Sequence, residues 1–227
     1  RDFGVLSAIA KGALRPRSRF GAALQLFSRG YAQLVPARAS DLHRLTAFDV
    51  GHVPVTLAAS LERYSAAQAM AEVTQRFAPA DPHPEIYQAL RGGLEVLEQT
   101  PPSEAGAAGI RAMWHLVVLL GFEPSLESCV LDATPIPETD PAGFSVREGG
   151  AVCGRCAGTN AVTRLEPADR RDLAALVAGA DPPPRLDARH EAAHRRLLAR
   201  FIHHQLADGA DLPALEFWQR RGWEPAA

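Results

Sequence analysis

Residues 149–156 read Gly-Gly-Ala-Val-Cys-Gly-Arg-Cys, and this stretch decides the fold expected for the middle of the chain. A glycine pair followed by Cys153-x-x-Cys156 is the usual way in which a short β ribbon presents two thiolates to a zinc ion. The chain has three cysteines, and the remaining one, Cys129, lies upstream in the same region. The pattern predicts a zinc-ribbon-like insert at about 126–160.

The fourth ligand of such a site is not a cysteine. No histidine lies between His115 and His190, so a local fourth ligand must be an oxygen. Asp132 stands three residues after Cys129, where a second cysteine would complete the pair. A former site held together by packing alone is the alternative, whereas a redox dithiol would need a βαβ context. The predicted ligands of a structural zinc ion are Cys129, Asp132, Cys153 and Cys156.

The remainder of the chain divides into a strand-like N-terminal part and a helical part. Short apolar segments at 3–10, 22–27 and 31–35 predict a β domain over residues 1–48. From Pro54 onward apolar residues recur at helical spacing between proline-rich stops. The predicted helices cover 54–77, 86–97, 105–120 (closed by Gly121), 167–178 and 186–207. The predicted fold class is α+β, mainly α, with a helical domain over 49–227 that contains the insert.

Composition excludes several classes of protein. Three cysteines form no disulfide framework, and no apolar run reaches the length of a membrane span. The sequence has no Walker-type loop, no Gly-x-Ser-x-Gly elbow and no dinucleotide fingerprint. These features predict a cytoplasmic protein with no membrane partner, and no motif in the sequence calls for an enzyme. Because the chain begins at Arg1 rather than Met, a fragment of a longer protein is expected.

Positive charge is concentrated near the N-terminus. Residues 1–40 contain seven basic side chains and one acid, although the whole chain has a net charge of −2. This asymmetry indicates a polyanionic partner. The loop 11–19 is the densest part, and with Ser18 as a further phosphate donor it predicts contacts with a nucleic-acid backbone; an ordinary basic surface turn is the alternative. The candidate DNA-binding residues of this loop are Lys11, Arg15, Arg17 and Arg19.

A second basic stripe lies on the predicted helix 186–207. Arg189, Arg196 and Arg200 fall on one side of it, opposite its apolar face. Guanidinium groups bind phosphates through two parallel hydrogen bonds, so the stripe predicts a further phosphate-contacting surface. A solvated helix face is the alternative.

The same helix contains His190-Glu191-Ala192-Ala193-His194, a literal match to the zinc metalloprotease pattern. That chemistry needs two histidines on one zinc ion and a glutamate acting on a bound water. Against it, Arg195 and Arg196 follow directly and are poor neighbours for a dication. The favoured interpretation is that both histidines face the core beside Leu197, Leu198 and Phe201.

Several segments, taken in order, resemble one known family. They include Phe-Gly-Val-Leu-Ser-Ala-Ile-Ala-Lys-Gly-Ala at 3–13, Asp-Pro-His-Pro-Glu-Ile-Tyr at 81–87 and Leu-Leu-Gly-Phe-Glu-Pro at 119–124. With 24–27, 149–156 and 197–217 they resemble the RecO family of bacterial DNA repair proteins over most of the chain. The resemblance implies an N-terminal OB-fold, a helical C-terminal domain and, in many members, a zinc ribbon of two Cys-x-x-Cys pairs.

The resemblance also implies a function without catalytic turnover. Family members bind single- and double-stranded DNA and anneal complementary strands. In the RecF pathway they work with RecR and single-stranded-DNA-binding protein to load RecA at gaps. The resemblance places DNA contacts in the loop 11–19, and we extend this expectation to the arginines of helix 186–207. It also implies a nucleoid-associated cytoplasmic protein. A protein-interaction module whose arginines serve only solubility is the alternative.

Two departures from the family pattern bear on these expectations. Family members usually have a further strand-forming segment ahead of the position that matches Phe3. A partial, N-terminally incomplete OB-like barrel with an unpaired edge is therefore expected. The second departure is Asp132, which replaces the second cysteine of the first ribbon pair.

Overall fold

The computed structural model of the chain describes residues 2–18, 20–21, 23–38, 40–158 and 162–221. A small sheet comes first, then helices, then an insert with a second sheet, then further helices. The predicted α+β class is confirmed.

The N-terminal part is a three-stranded sheet of β1 (Ser7–Ile9), β2 (Arg29–Val35) and β3 (Leu42–His52). Strand β3 lies in the centre, parallel to β1 and antiparallel to β2. The two long strands approach so closely at Gly30 that an added Cβ would lie 2.1 Å from the carbonyl oxygen of Asp49. Within the described residues the sheet is open, and β1 and β2 are its edges.

The strand predictions in this part succeed only in places. The segment 31–35 lies in β2 as predicted, whereas only Ser7–Ile9 of 3–10 is a strand. The predicted strand at 22–27 is wrong, because Phe27 has a φ of 66° and turns its ring edge-on to Tyr64 at 5.9 Å. The longest strand, β3, was not predicted.

Helices form most of the remaining chain. They are α1 (Leu61–Phe77), α2 (Pro84–Gln99), α3 (Ala105–Leu119), α4 (Gly154–Ala157), α5 (Pro167–Val177), α6 (Ala188–Gln205) and α7 (Pro213–Arg220). The five predicted helices are confirmed as α1, α2, α3, α5 and α6. The first of them begins later than predicted, because a separate 3-10 turn occupies Leu57–Ala59. Gly121 has a φ of 94° just after α3, which suits the predicted C-terminal stop.

One apolar core joins these helices to the insert. Trp114 of α3 is fully buried and packs against Phe201 of α6, with ring centroids 5.2 Å apart. Phe144, from the insert, also packs against Phe201, with ring centroids 6.0 Å apart. Burying a large apolar side chain of this kind contributes about 1.5–3 kcal/mol. The insert is therefore anchored on α6 by aromatic packing.

The insert contains a second small sheet of β4 (Ala142–Ser145), β5 (Gly150–Val152) and β6 (Thr163–Leu165). Strand β4 is central and antiparallel to both neighbours. Gly149 has a φ of 77° in the turn between β4 and β5. A Cβ on Gly150 would lie 2.4 Å from the carbonyl oxygen of Ser125. The glycine pair is explained by one left-handed turn and one close backbone approach.

Candidate metal centre and nucleic-acid surfaces

The fold brings the four predicted metal ligands together. One potential ligand atom each from Cys129, Asp132, Cys153 and Cys156 lies within 4.8 Å of the other three. Cys129 is buried, and the other two cysteines are half-buried. Two separate turns therefore converge on one point, each contributing two donor atoms.

The first turn is built by backbone hydrogen bonds around Cys129. The N–H of Ala133 donates to the carbonyl of Cys129 at 2.8 Å, and the N–H of Cys129 donates to the carbonyl of Thr134 at 2.8 Å. Ala133 has a φ of 57°, which closes the turn in the left-handed region. The N–H of Thr134 then donates to Asp132 Oδ1 at 3.0 Å. This bond fixes the carboxylate and leaves Oδ2 for the cysteines.

The second turn supplies two thiols and one cation to that oxygen. Asp132 Oδ2 lies 3.3 Å from the Sγ of Cys156 and 3.6 Å from the Sγ of Cys153. Arg155, between the two cysteines in sequence, donates to the same oxygen from Nη2 at 2.6 Å. Strand β5 ends at Val152, and the short helix α4 begins directly afterward, which turns both cysteines toward Asp132.

The protonation of these groups follows from their contacts. The hydrogen bond from Arg155, with the N–H of Thr134, holds the pKa of Asp132 well below its usual range. The hydrogen bond to Asp132, together with burial, raises the pKa of Cys156 to about 12. Burial alone would raise the pKa of Cys129, but backbone hydrogen bonds at Cys153, Leu131 and Asp132 outweigh it and lower that pKa. A metal ion bound by Cys156 would displace the proton of its thiol.

The donor set fits a zinc ion. Three sulfurs and one carboxylate oxygen are ligand types that Zn²⁺ accepts in a four-coordinate site. The donor atoms already converge, and the first turn holds Asp132 by a backbone bond of the kind expected of an outer-shell partner. A cavity of about 260 Å³ is lined in part by Cys153 and Arg155.

The histidine pair of α6 does not have the arrangement of a metalloprotease site. Glu191 is buried and accepts a hydrogen bond from Arg195 Nη2 at 2.7 Å, and it also pairs with Arg221. An added Cβ on Gly106 of α3 would lie 2.1 Å from the carboxylate of Glu191. A carboxylate held in this way between helices has no room to act on a bound water, so the protease alternative is not supported.

The two histidines themselves lie in different surroundings. His194 is buried as predicted, and burial lowers its pKa. The prediction that His190 faces the core is wrong. His190 lies in the first turn of α6, where its ring contacts the carboxylates of Asp187 at 2.8 Å and Asp169 at 3.7 Å on the exposed side.

The adjacent Arg195 is a structural residue. It is fully buried, donates to Glu62 of α1 at 2.5 Å, and lies over the ring of Trp218 at 5.1 Å. This arrangement ties α1, α6 and α7 together. Breaking a buried pair of this kind typically costs about 3–5 kcal/mol.

The N-terminal basic loop lies on the surface. Lys11, Arg15 and Arg17 are exposed, and none of them has an ion pair with another described residue. Gly12 has a φ of 78° and accepts from the N–H of Arg15 at 3.2 Å, so the loop is a series of tight turns. Leu14, between these cations, is fully exposed. Arg19 lies outside the described residues.

The arginine stripe of α6 is also exposed. Arg189, Arg196 and Arg200 point away from the core. Arg200 donates to the hydroxyl of Thr163 at 3.3 Å, so the stripe adjoins β6 of the insert. Gln205, one turn further along, donates to the carbonyls of Val146 and Arg147 at 2.6 and 3.0 Å.

Sequence reasoning missed the contact of Arg155 with the cysteine cluster. Its position between the two cysteines of Cys153-x-x-Cys156 is visible in the sequence, but the direction of its side chain is not. Thr134 holds Asp132 through its backbone N–H, which any residue except proline could supply, so the sequence does not indicate this contact.

The chain is similar to proteins of one named group along most of its length. A family model described as "Recombination protein O N terminal" matches residues 1–52, and one described as "Recombination protein O C terminal" matches residues 58–211. The DNA repair protein RecO of Anaeromyxobacter dehalogenans is 34% identical over 230 residues, which covers 96% of this chain and 86% of the relative.

Two further relatives carry the same name. The DNA repair protein RecO of Anaeromyxobacter sp. (strain K) is 33% identical, again over 96% of this chain and 86% of the relative. That of Cyanothece sp. is 34% identical over 158 residues, which covers 67% of this chain. The alignment spans about half, 53%, of the Cyanothece protein.

Proposed function

The chain belongs to the RecO family of DNA repair proteins, and from that premise we propose that it binds DNA and anneals complementary strands in recombinational repair. The single observation that carries the proposal is the exposed cluster of Lys11, Arg15 and Arg17, which has no acid partner among the described residues. Cations without internal partners are available to phosphates, and phosphate contacts supply most of the affinity of sequence-independent binders.

The exposed stripe on α6 supports the annealing step. Two strands repel each other through their phosphates, and a protein that neutralises both lowers that repulsion. The basic loop lies on the N-terminal part and the arginines on a helix of the second part. We propose that one surface holds each strand, with no covalent chemistry and no turnover of substrate.

Single-strand affinity and annealing rate, measured together, test the DNA proposal. The triple variant Lys11→Ala/Arg15→Ala/Arg17→Ala is expected to lose affinity for a single-stranded oligonucleotide and to anneal complementary strands more slowly. The matched control is Arg147→Ala/Arg164→Ala, since these arginines are exposed but paired with Glu148 and Glu166. Unchanged affinity and annealing in the triple variant would reject the loop as a DNA surface.

We propose that the cysteine cluster holds a structural zinc ion and that the insert is a zinc ribbon. The convergence of four donor atoms within 4.8 Å supports this assignment. A bound zinc ion would cross-link the two turns that carry the cysteines. Because β5 and α4 lie next to the packed strand β4, this cross-link would stabilise the part of the insert that docks on α6.

Metal analysis of protein purified without added zinc tests this second proposal. Stoichiometric zinc is expected in the parent and is expected to disappear in Cys153→Ala. Zinc retained in that variant but lost in His194→Ala would contradict the assignment and restore the histidine pattern as a metal site.

We propose RecR and single-stranded-DNA-binding protein as partners, and loading of RecA on gapped DNA at the nucleoid as the role they share. Support comes from the family, whose relatives are named as DNA repair proteins. No helix within the described ranges is long and apolar enough to cross a membrane. Binding of the purified chain to each partner, and stimulation of RecA loading on gapped DNA, are the measurements that test this proposal.

A further inference from the structure

We propose that Arg155 is a positioning residue of the metal centre, which holds Asp132 as the fourth ligand and offsets the negative charge of the site. The inference rests on the proposed function of the cysteine cluster as a zinc site. It deepens that proposal, because it explains how a carboxylate works at a position suited to a cysteine.

Arg155 and the two cysteines of its turn contact the same oxygen of Asp132. Arg155 Nη2 contacts Asp132 Oδ2 at 2.6 Å, and the same oxygen faces the sulfurs of Cys153 and Cys156. The other oxygen, Oδ1, is held by the N–H of Thr134 at 3.0 Å. The carboxylate is thus fixed at both oxygens, and its orientation toward the cysteines does not depend on the ion.

Arg155 also offsets negative charge at the proposed site. Three thiolates and one carboxylate carry four negative charges, so a dication leaves the site with a net charge of −2. A guanidinium in contact with one ligand reduces this to −1 at short range, where screening by salt is weakest. The charge of Arg155 therefore offsets part of the negative charge that the four donor groups would carry around an ion.

The position of Arg155 leaves Asp132 able to act as a ligand. A carboxylate oxygen has two lone pairs, so Oδ2 can coordinate an ion with one and accept from Arg155 with the other. The side chain of Arg155 is 77% exposed and approaches from the solvent side, whereas that of Asp132 is 23% exposed. Arg155 thus contacts Asp132 from the more exposed side of the cluster. Outer-shell partners of this kind typically change metal affinity about 10–100-fold.

The proposed role of Arg155 depends on Asp132. A cysteine at this position would coordinate through sulfur and would offer Arg155 no carboxylate fork. The contribution of Arg155 should therefore be specific to the Asp132 form of the site. A merely structural arginine would have the same effect whichever ligand stood there.

The experiment measures zinc affinity by competition with a chromogenic chelator and ligand type by the absorption of the Co²⁺-loaded protein. Arg155→Ala is expected to weaken zinc binding about 10–100-fold, and Arg155→Lys to restore part of the loss. The d–d absorption bands of Co²⁺-loaded Arg155→Ala should shift in the same direction as those of Co²⁺-loaded Asp132→Ala. The matched control Arg147→Ala, also an exposed arginine of the insert, should leave both readouts unchanged.

A double-variant comparison decides between positioning and general support. In an Asp132→Cys background, Arg155→Ala is expected to change zinc affinity by less than about threefold. An equal loss in both backgrounds, or no loss in the Asp132 form, would overturn the inference and leave the zinc site standing. A parent that binds neither ion would overturn the zinc site and the inference together. Urea midpoints in the presence of a chelator confirm that each variant is folded.

Discussion

The described residues contain two three-stranded sheets with opposite surroundings, and the N-terminal sheet has the longer strands. In the insert, every residue of β4 and β5 is buried. In the N-terminal sheet, all three residues of β1 and most of those of β2 are exposed, including Tyr31 at 83%. One sheet is part of the helical core, and the other lies against it. A buried sheet that supports the cysteine cluster is thus distinct from a sheet with much of its surface exposed.

The two sheets are also attached to the helices by different forces. Phe144 anchors the insert by packing against Phe201, and Gln205 bonds two carbonyls of its hairpin. The N-terminal sheet makes charged contacts with α2, in which Arg29 pairs with Glu95 and His52 lies 2.7 Å from Glu98, and the nearby ring of Phe27 meets Tyr64 of α1. Apolar packing is insensitive to pH and salt, whereas half-exposed ion pairs are sensitive to both.

The largest difference between the two sheets is expected in the free energy of unfolding when one aromatic residue in each is replaced by alanine. Phe144→Ala removes a ring that is 1% exposed and should lower the free energy of unfolding by about 3–5 kcal/mol. Tyr31→Ala removes an exposed ring and should change it by about 0.5 kcal/mol or less. Urea unfolding followed by tryptophan fluorescence measures both. Equal losses would show that the N-terminal sheet is packed as tightly as the insert.

Zinc is expected to stabilise the insert selectively, by an amount somewhat smaller than the loss expected from Phe144→Ala. At a free zinc concentration about 100 times the dissociation constant, the gain in the free energy of unfolding is about 2.7 kcal/mol. Hydrogen exchange followed by mass spectrometry should show added protection in β5 and in 129–134, and none in β2. The gain should be absent in Cys156→Ser. Protection that spread equally to β2 would contradict the separation of the two sheets.

The smallest effect is a pH dependence at the contact between the N-terminal sheet and α2. The hydrogen bond from Arg29 lowers the pKa of Glu95. A lowered pKa stabilises the folded form above the ordinary glutamate pKa of about 4.3, and this stability is lost as the pH falls through the depressed value. Because Glu95 is about one-third exposed, the contribution is at most about 1 kcal/mol.

Hydrogen exchange of the β2 amides measures that dependence. Arg29→Ala should reduce their protection relative to the parent near neutral pH. The difference should shrink once Glu95 is protonated in both proteins. A difference that stayed constant into the acidic range would show that Arg29 acts through packing rather than through its charge.

The helices were predictable because their apolar residues repeat at helical spacing and prolines mark their ends. Strand β3 was not predicted, because polar residues such as His43, Arg44 and Asp49 interrupt its apolar pattern on an exposed sheet. Helix α7 has only eight residues, and its position depends on Trp218 meeting Arg195 of α6, a tertiary contact with no local signal.

The proximity of Cys129, Asp132, Cys153 and Cys156 was predictable for a different reason. Cysteine spacing restricts which atoms can meet, and Asp132 stands at the spacing of a missing cysteine. The direction of the Arg155 side chain and the backbone bond from Thr134 depend on the turn at Ala133, whose φ of 57° is unusual for alanine. Residue types alone do not encode that conformation.

The salt dependence of single-strand DNA affinity tests most directly the central claim that the two sheets have separate roles. The parent, Lys11→Ala/Arg15→Ala/Arg17→Ala and Cys153→Ser would be compared over one range of salt concentrations. The loop variant is predicted to lose about 2 from the magnitude of the slope of log affinity against log salt, since each lost phosphate contact removes about 0.7. Cys153→Ser is predicted to keep the parental slope. An unchanged slope in the loop variant, or an equal loss in Cys153→Ser, would contradict the account.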